Sequence, residues 1–238
     1  MVYICTDNIQ RTLFPSTCLL CGAPSVNGID ICNHCLDDLP HNRNCCRVCS
    51  LPLPLPLPAN HSNQICGKCL RQRPSFDRCY TPYSYGYPIS GLISSFKFSD
   101  RLYAGRLLAE LLINFIETKR VELPQLILPV PLHPARLKER GFNQALELAK
   151  PISRYFNIPV DIKSCRRVKA TATQSTLDKK VRIKNMRGAF AITEPLSCEH
   201  LVLLDDVVTT GTTVNELAKT LKTSGVQRVD VWALARTP

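Results

Sequence analysis

Two adjacent carboxylates and a threonine-rich loop near the C-terminus are the residues best suited to chemistry. Asp205 and Asp206 directly follow four apolar residues, and the loop Thr209–Thr213 (TTGTT) comes three positions later. Four apolar residues in a row fit a buried strand, and the loop leads into an amphipathic helix. The free N–H groups and the dipole of a helix N-terminus favour a phosphate. Paired acids beside such a loop predict a sugar-phosphate site.

The same stretch has a plainer interpretation as a strand-to-helix turn, in which the Asp and Thr residues only cap the helix. The match of the whole string 201–214 (LVLLDDVVTTGTTV) favours the ligand site over that interpretation. No lysine follows Gly211, so the loop is not a Walker A phosphate-binding loop.

Four CxxC pairs in the first third of the chain have the spacing of zinc ligands. The pairs are Cys18 with Cys21, Cys32 with Cys35, Cys46 with Cys49, and Cys66 with Cys69. Each pair presents two thiolates from one tight turn, and two pairs complete a tetrahedral site. The sequence therefore predicts two structural zinc sites, and sequential and interleaved pairings both fit the spacing. Redox-active CxxC motifs are disfavoured because no thioredoxin-like βαβ pattern surrounds them.

Composition limits the classes of protein that the chain can belong to. The thirteen cysteines indicate metal binding rather than disulfides, because the N-terminus has no charged region followed by an apolar core. No apolar run reaches the length of a membrane span. We therefore expect a soluble cytoplasmic protein, and its net charge of +11 predicts anionic partners.

The chain divides into a zinc-binding region, 1–78, and an α/β domain, 79–238. The first region has too little apolar sequence for its own core, so zinc binding must supply most of its folding free energy. The run LPLPLPLP (51–58) predicts polyproline II, and we favour a stiff insert over a ligand for an aromatic groove.

The α/β domain shows the periodicity of alternating strands and helices. Apolar pairs recur every four residues between 107 and 116 and predict one buried helical face. The predicted elements are strand-like sequence at 80–87, a short helix at 89–98, a longer helix capped by Asp100, a strand at 126–130, a helix from the 141–144 cap region, a strand at 201–204, a helix through Ser224, and a last strand at 228–235.

Positive charge is concentrated in the basic segment 163–187, which holds nine Lys or Arg residues against one acid. We expect a mobile loop followed by a short helix, and an anionic partner such as single-stranded nucleic acid. The candidate contacts are Lys169, Thr173, Gln174, Lys179, Lys180, Arg182, Lys184 and Arg187. An ordinary solvated face is the alternative.

Several separated motifs together resemble one family. They are GKCL (67–70), PSFDR (74–78), SSFKF (94–98), VPLHPARLKERGFNQ (130–144), TATQSTL (171–177) and VLLDDVVTTGTT (202–213). In this order they are similar to the ComF family, which includes the competence protein ComFC and GntX-like proteins, and the last motif resembles the signature of type I phosphoribosyltransferases.

The resemblance implies a type I phosphoribosyltransferase-like fold with an N-terminal zinc region. It also implies binding of phosphoribosyl pyrophosphate with Mg²⁺, and handling of single-stranded DNA in the cytoplasm during natural transformation, alongside proteins of the DNA-uptake machinery. An active phosphoribosyltransferase with an unidentified acceptor is the alternative, and no catalytic residue is assigned. The implied ligand site comprises Pro131, Leu132, His133, Asp205, Asp206, Val207, Val208, Thr209, Thr210, Gly211, Thr212 and Thr213. The sequence adds two cations to it, Arg140 and Lys97, and for Lys97 an ordinary solvated lysine is the alternative.

Overall fold

The computed structural model describes residues 17–25, 28–54, 64–97, 102–170 and 186–238. The helices are α1 (Asn33–Asp37), α2 (Gly67–Arg71), α3 (Ile89–Ser95), α4 (Leu102–Thr118), α5 (Pro134–Arg140), α6 (Gln144–Phe156) and α7 (Thr212–Thr223). The strands are β1 (Arg78–Tyr80), β2 (Tyr83–Ser84), β3 (Leu126–Pro129), β4 (Cys165–Arg167), β5 (Phe190–Ile192), β6 (His200–Val208) and β7 (Arg228–Arg236). The described elements form the predicted α/β architecture.

A parallel sheet in the order β1-β7-β6-β3 forms the centre of the molecule, and β2 extends the β1 edge along β7. The central strand β6 pairs with β3 through Leu201–Leu204 and with β7 along nearly its whole length. The predicted strand at 201–204 is confirmed, but it is longer than predicted and continues to Val208. A separate antiparallel hairpin joins β4 to β5.

Alternate residues of the central strands bury their side chains on opposite faces of the sheet, as the period of two requires. Val202 and Leu204 join α3, α4 and α6 in one apolar core, whereas Leu201 and Leu203 join α7 in the other. Trp232 is fully buried in the first core, where its ring centroid lies 6.1 Å from that of Phe156. Both faces of the sheet are therefore covered.

Local sequence explains where the helices begin and end. Asn143 caps α6, because its side-chain oxygen accepts a hydrogen bond from the Ala145 N–H at 3.0 Å. Helix α5 was not predicted from the sequence, which indicated only a loop there. It begins with Pro134 at its first turn and ends at Gly141, whose φ of 80° is the left-handed conformation that favours glycine.

The other element predictions agree with the structure within a few residues. The predicted helix at 89–98 ends earlier, at Ser95, and the strand-like sequence at 80–87 contributes the short strands β1 and β2. The apolar pairs of α4 are buried except for the partly exposed Phe115. The cap Asp100, most of the basic segment (171–185) and residues 55–58 of the LPLPLPLP run lie outside the described residues.

None of the helices in the described part of the chain is long and apolar enough to cross a membrane.

Candidate functional site

The two carboxylates predicted to bind a ligand lie near the carboxyl end of β6, where both are half-buried. The prediction that they close the strand was wrong, because Asp205 still pairs with Ala233 of β7. The Asp206 N–H donates to Oδ1 of Asp205 at 2.9 Å, and the Val207 N–H donates to Oδ1 of Asp206 at 2.7 Å. These backbone donors fix the orientation of both carboxylates.

The Asp205 carboxyl has an unusual electrostatic environment. Burial, followed by the neighbouring Asp206 carboxylate, raises the pKa of Asp205 well above its usual range. The hydrogen bond from the Asp206 N–H and the charge of Arg167 act in the opposite direction without cancelling the rise. A ligand that donates hydrogen bonds or brings positive charge would favour the ionised carboxylate.

The threonine loop turns directly from β6 into α7. Gly211 is the N-cap of α7, and its φ of 75° would be strained for other residues. The hydroxyl oxygens of Thr210 and Thr212 lie 2.8 Å apart, and the Thr212 N–H donates to Oγ1 of Thr210 at 3.3 Å. The first N–H groups of a helix have no partner within the helix. The loop therefore presents donors and hydroxyls beside the acids.

The segment 131–133 lies at the same edge of the sheet, because it follows β3, the neighbour of β6. The Val130 N–H donates to the Leu204 carbonyl at 2.9 Å, and the Val130 carbonyl accepts from Nδ2 of Asn143 at 3.1 Å. His133 caps α5, since its Nδ1 accepts a hydrogen bond from the Ala135 N–H at 3.3 Å. One ring nitrogen of this histidine is thus engaged with the backbone at the start of α5.

Arg140 and Arg167 bring positive charge toward the acid pair. Burial lowers the pKa of Arg140, and the charges of Asp206 and Asp205 partly offset that effect. Burial also lowers the pKa of Arg167, and Asp205 is the neighbour that opposes this.

Arg167 was not among the predicted ligand residues. It ends β4, and its guanidinium lies 5.9 Å from the centroid of the Phe190 ring on β5. In the sequence it was one of nine cations in the basic segment. What distinguishes it is its place opposite Phe190 at the end of β4, where its charge acts on Asp205.

Three further predicted residues are described by the structure. Lys97 follows the buried Phe96, whose ring centroid lies 6.0 Å from that of Phe142 in the turn before α6. Nζ of Lys169 donates to the carbonyl of Arg187 at 2.5 Å, so these two residues meet across the gap of 171–185. Thr173, Gln174, Lys179, Lys180, Arg182 and Lys184 lie outside the described residues.

The eight predicted cysteine ligands form two clusters, and the pairing is sequential. Cys18, Cys21, Cys32 and Cys35 form the first zinc site, and Cys46, Cys49, Cys66 and Cys69 form the second. The sulfur atoms of Cys21 and Cys32 lie 3.7 Å apart, as do those of Cys49 and Cys66. Tetrahedral zinc with bonds of about 2.3 Å separates its sulfurs by about 3.8 Å. Both clusters therefore fit a structural zinc ion.

Hydrogen bonding favours a thiolate in each cluster. A hydrogen bond with the Cys49 thiol is the main cause that lowers the pKa of Cys46, to about 4, although burial acts to raise it. Burial raises the pKa of Cys18, but backbone N–H donors from Cys32, Cys21 and Leu20 outweigh it and bring the value to about 6. Thiolates are the form in which cysteine binds zinc.

The second zinc site is connected to the threonine loop through a buried arginine. Arg236, the last residue of β7, is only 5% exposed. Its Nε donates to the carbonyl of the zinc ligand Cys49 at 3.1 Å, and its Nη1 donates to the carbonyls of Val208 at 3.0 Å and of Thr209. One guanidinium therefore joins a zinc knuckle to the end of β6.

Two further contacts join the zinc region to the loop and to α7. Nζ of Lys68, on α2 between two zinc ligands, donates to the Thr210 carbonyl at 3.1 Å. The Ser75 N–H donates to Oδ1 of Asn215 on α7 at 2.7 Å. The loop is therefore held by the zinc region as well as by the sheet.

Matches to two family models agree with this architecture. Residues 9–72 match the family described as a double zinc ribbon domain, and residues 143–238 match the phosphoribosyl transferase domain. A crystal structure of a purine phosphoribosyltransferase from Pyrococcus horikoshii is 18% identical and covers 55% of this chain and 71% of that one, with a TM-score of 0.32.

Curated relatives cover most of the chain. The DNA utilization protein YhgH of Escherichia coli K12 is 38% identical over 94% of this chain and 98% of its own length. Competence protein F of Haemophilus influenzae is 40% identical over 73% of this chain and 79% of its own length. With its zinc clusters and its parallel sheet, the chain belongs to the ComF family of type I phosphoribosyltransferase-like proteins.

Proposed function

We propose that the protein binds phosphoribosyl pyrophosphate and handles single-stranded DNA in the cytoplasm during natural transformation. The observation that carries the first part is the acid pair on β6, followed at once by a left-handed glycine and the N-terminus of α7. The names of the relatives, which refer to competence and DNA utilization, support the second part.

Each part of the ligand has a chemically suitable neighbour in this arrangement. The ribose hydroxyls donate hydrogen bonds to Asp205 and Asp206, whose orientations are fixed by backbone N–H groups. The 5′-phosphate accepts from the N–H groups and hydroxyls of Thr209–Thr213. The pyrophosphate lies beside 131–133 and the cation of Arg140, which offsets its negative charge.

Magnesium fits the same site through the chemistry of its donors, because hard oxygens from carboxylates, phosphates and water are the ligands it prefers. Bound together with phosphoribosyl pyrophosphate, it would neutralise part of the pyrophosphate charge. The contribution of the chain is to hold Asp205 and Asp206 close enough to contact water on the metal.

The DNA-binding part rests on the excess of positive charge. Lys169 and Arg187 are in contact, and the basic segment has four further cations in the sequence between them. A single strand bound there would contact the protein mainly through its phosphates. Its affinity should then fall steeply as the salt concentration rises, and an affinity that is flat with salt would contradict the proposal.

The ligand site is tested by the double variant Asp205→Asn/Asp206→Asn. We expect its affinity for phosphoribosyl pyrophosphate with Mg²⁺, measured by calorimetry, to fall by about 100-fold or more, because two charged hydrogen-bond acceptors are lost. The matched control is Asp37→Asn/Asp38→Asn, which neutralises another adjacent but exposed pair and should leave the affinity unchanged. Equal affinities in the two variants would refute the site.

The raised pKa of Asp205 predicts opposite effects on stability and binding. The folded chain holds the Asp205 proton more tightly than the unfolded chain does. The free energy of unfolding gained from this proton is fully present below the unfolded pKa of about 3.9, and it is lost as pH rises through the folded pKa. Asp205→Asn, which stays neutral, should therefore raise Tm at pH 8 while it weakens binding. In the native chain, ligand affinity should increase as pH rises through the same pKa. A lower Tm in the variant would contradict this account.

A further inference from the structure

A cavity that does not include the acid pair lies toward the amino ends of β1 and β7. Its volume is about 440 Å³, and its walls come from the second zinc ribbon, the end of α4 and the first residues of β1 and β7. The candidate sugar-phosphate site follows the carboxyl ends of the strands, whereas this cavity adjoins their amino ends. Tyr80 in the lining pairs with Trp232, four residues before the end of β7, so about 13 Å of strand lies between the cavity and the carboxyl end of the sheet.

The cavity is strongly basic. Its only acidic lining residue is Glu122, and its six cationic lining residues are Arg43, Arg47, Arg78, Lys119, Arg120 and Arg228. Glu122 is already engaged with Arg228, at 2.5 Å, and Arg228 also contacts Asp230 at 2.8 Å.

Most of this positive charge is not neutralised by the protein. Among the described residues, no ion pair involves Arg43, Arg78, Lys119 or Arg120. All four are exposed to solvent. Four uncompensated cations around one concave surface favour a multiply charged anion.

Aromatic side chains complete the lining. Tyr80 of β1 and Phe115 of α4 are both partly exposed there. Partly exposed rings beside phosphate-binding cations are the combination on which nucleic-acid bases stack. The volume also falls in the range of about 300 to 1,000 Å³ typical of small-molecule sites.

Backbone conformation gives an independent indication. Arg120, which lines this cavity, has a positive φ; the positive φ of Ser50 has a separate cause, because its N–H closes the knuckle of Cys46 and Cys49 as that of Gly22 closes the knuckle of Cys18 and Cys21. Arg120 follows α4 at a position usually occupied by glycine, where the Val121 N–H bonds back to the carbonyl of Ile116. Cations near a helix C-terminus stabilise the helix dipole, but that role needs no left-handed arginine. Such conformations concentrate at functional sites.

We propose that this cavity binds a nucleotide, with its phosphate on the cations from α4 and the zinc ribbon and its base against Tyr80 and Phe115. The nucleotide is either free or one unit of a single strand. The site does not depend on the acid pair, so it goes beyond the sugar-phosphate site and can be tested separately from it.

The test compares two variants that each remove two positive charges. Lys119→Gln/Arg120→Gln changes the cavity, and Arg154→Gln/Lys219→Gln is the matched control on other exposed surfaces. The probes are inorganic phosphate, thymidine monophosphate and a short oligodeoxythymidylate. Each is measured by calorimetry in the native chain and in the Asp205→Asn/Asp206→Asn background, where the proposed sugar-phosphate site is disabled.

We expect the cavity variant to bind the two nucleotide probes about tenfold or more weakly in both backgrounds, with the control within about twofold of the parent. Equal losses in the cavity and control variants would overturn the proposal. Failure of the sugar-phosphate site would leave this result untouched, because the disabled background already lacks it. If the cavity variant weakens the oligodeoxythymidylate more than the monophosphate, a single strand is the ligand of the cavity, and equal losses identify a free nucleotide.

A second variant tests whether the base contributes. Tyr80→Leu keeps an apolar side chain but removes the stacking surface. It should weaken the binding of thymidine monophosphate by about fivefold or more without changing the binding of inorganic phosphate. Circular dichroism checks that the variant is folded. If the native chain binds phosphate as tightly as the nucleotide, the nucleotide assignment is wrong.

Discussion

Each of the two zinc ribbons has four cysteine ligands from two consecutive CxxC pairs, but the surroundings of the two ribbons differ. In the first ribbon Cys21 is exposed and only Cys18 is buried, whereas all four ligands of the second ribbon are buried. The first ribbon packs with α3, α4 and α6 in one core, and the second packs with α7 in the other. The comparison indicates that both ribbons pack against the phosphoribosyltransferase-like domain, and that the metal ligands of the second are more deeply buried in it.

Contacts beyond the apolar cores show the same difference. The first ribbon leads into the edge of the sheet, where His41 forms a bridge with Tyr83 and the Asn42 N–H donates to the Pro82 carbonyl at 2.7 Å. The second ribbon contacts the threonine loop directly, through Arg236 and Lys68. Damage to the second ribbon should therefore affect ligand binding, and damage to the first should not.

The largest expected effect comes from a comparison of two single variants, each of which removes one cysteine ligand from one ribbon. Cys49→Ser should destabilise the whole chain by about 3 to 5 kcal/mol, a fall in Tm of about 10 °C, because a buried site loses its metal. It should also weaken the binding of phosphoribosyl pyrophosphate. Cys21→Ser should lower the zinc content by one ion with a much smaller fall in Tm and unchanged affinity. Mass spectrometry, calorimetry and thermal melting measure the three quantities.

Equal effects of the two serine variants on ligand affinity would contradict the distinction between the ribbons. A larger effect of Cys21→Ser would reverse it.

Replacement of the buried arginine should have the next largest effect. Arg236→Lys keeps the charge, but one ammonium group cannot reach the carbonyls of Cys49 and Val208 in the geometry of a guanidinium. We expect a loss of stability of about 2 kcal/mol from unpaired buried groups. Affinity for phosphoribosyl pyrophosphate should fall by about tenfold, because the loop loses its connection to the ribbon.

The matched control for this variant is Arg154→Lys, an exposed arginine on α6. Addition of Mg²⁺ and phosphoribosyl pyrophosphate should raise the Tm of the control more than that of Arg236→Lys. If both variants gain the same increment, Arg236 has only a structural role.

The sequence predicted the features that depend on local patterns. The CxxC pairs identify the zinc ligands because each pair is a complete local motif, and four apolar residues before Asp205 identify the central strand. Strand length was underestimated because β6 is paired on both sides, which allows the two acids to remain within the sheet. Helix α5 was missed because its segment, PARLKER, lacks an apolar stripe and is defined only by its ends.

Features that depend on tertiary contacts could not be predicted. The ligand spacing fits either pairing of the zinc knuckles, so only the fold distinguishes them. Arg236 looks like the polar end of an apolar strand, and its partners lie up to 187 residues away in the chain. The cations of the proposed nucleotide cavity come from the zinc ribbon, the residues after α4 and two strands, whereas the sequence drew attention to the contiguous basic segment.

The smallest expected effect concerns the exposed contact between the second ribbon and the loop. Nζ of Lys68 donates to the Thr210 carbonyl from a solvent-exposed position on α2, and exposed contacts of this kind contribute little to stability. Lys68→Ala should leave Tm nearly unchanged and weaken the binding of phosphoribosyl pyrophosphate by about twofold. Arg71→Ala, on the same helix, is the control and should bind as the native chain does.

Because Lys68 is a cation near the threonine loop, high salt should remove the difference in affinity between the two variants. A difference that persists in high salt would mean that Lys68 acts by positioning the loop, and the connection between the second ribbon and the ligand site would then be stronger than its exposure suggests.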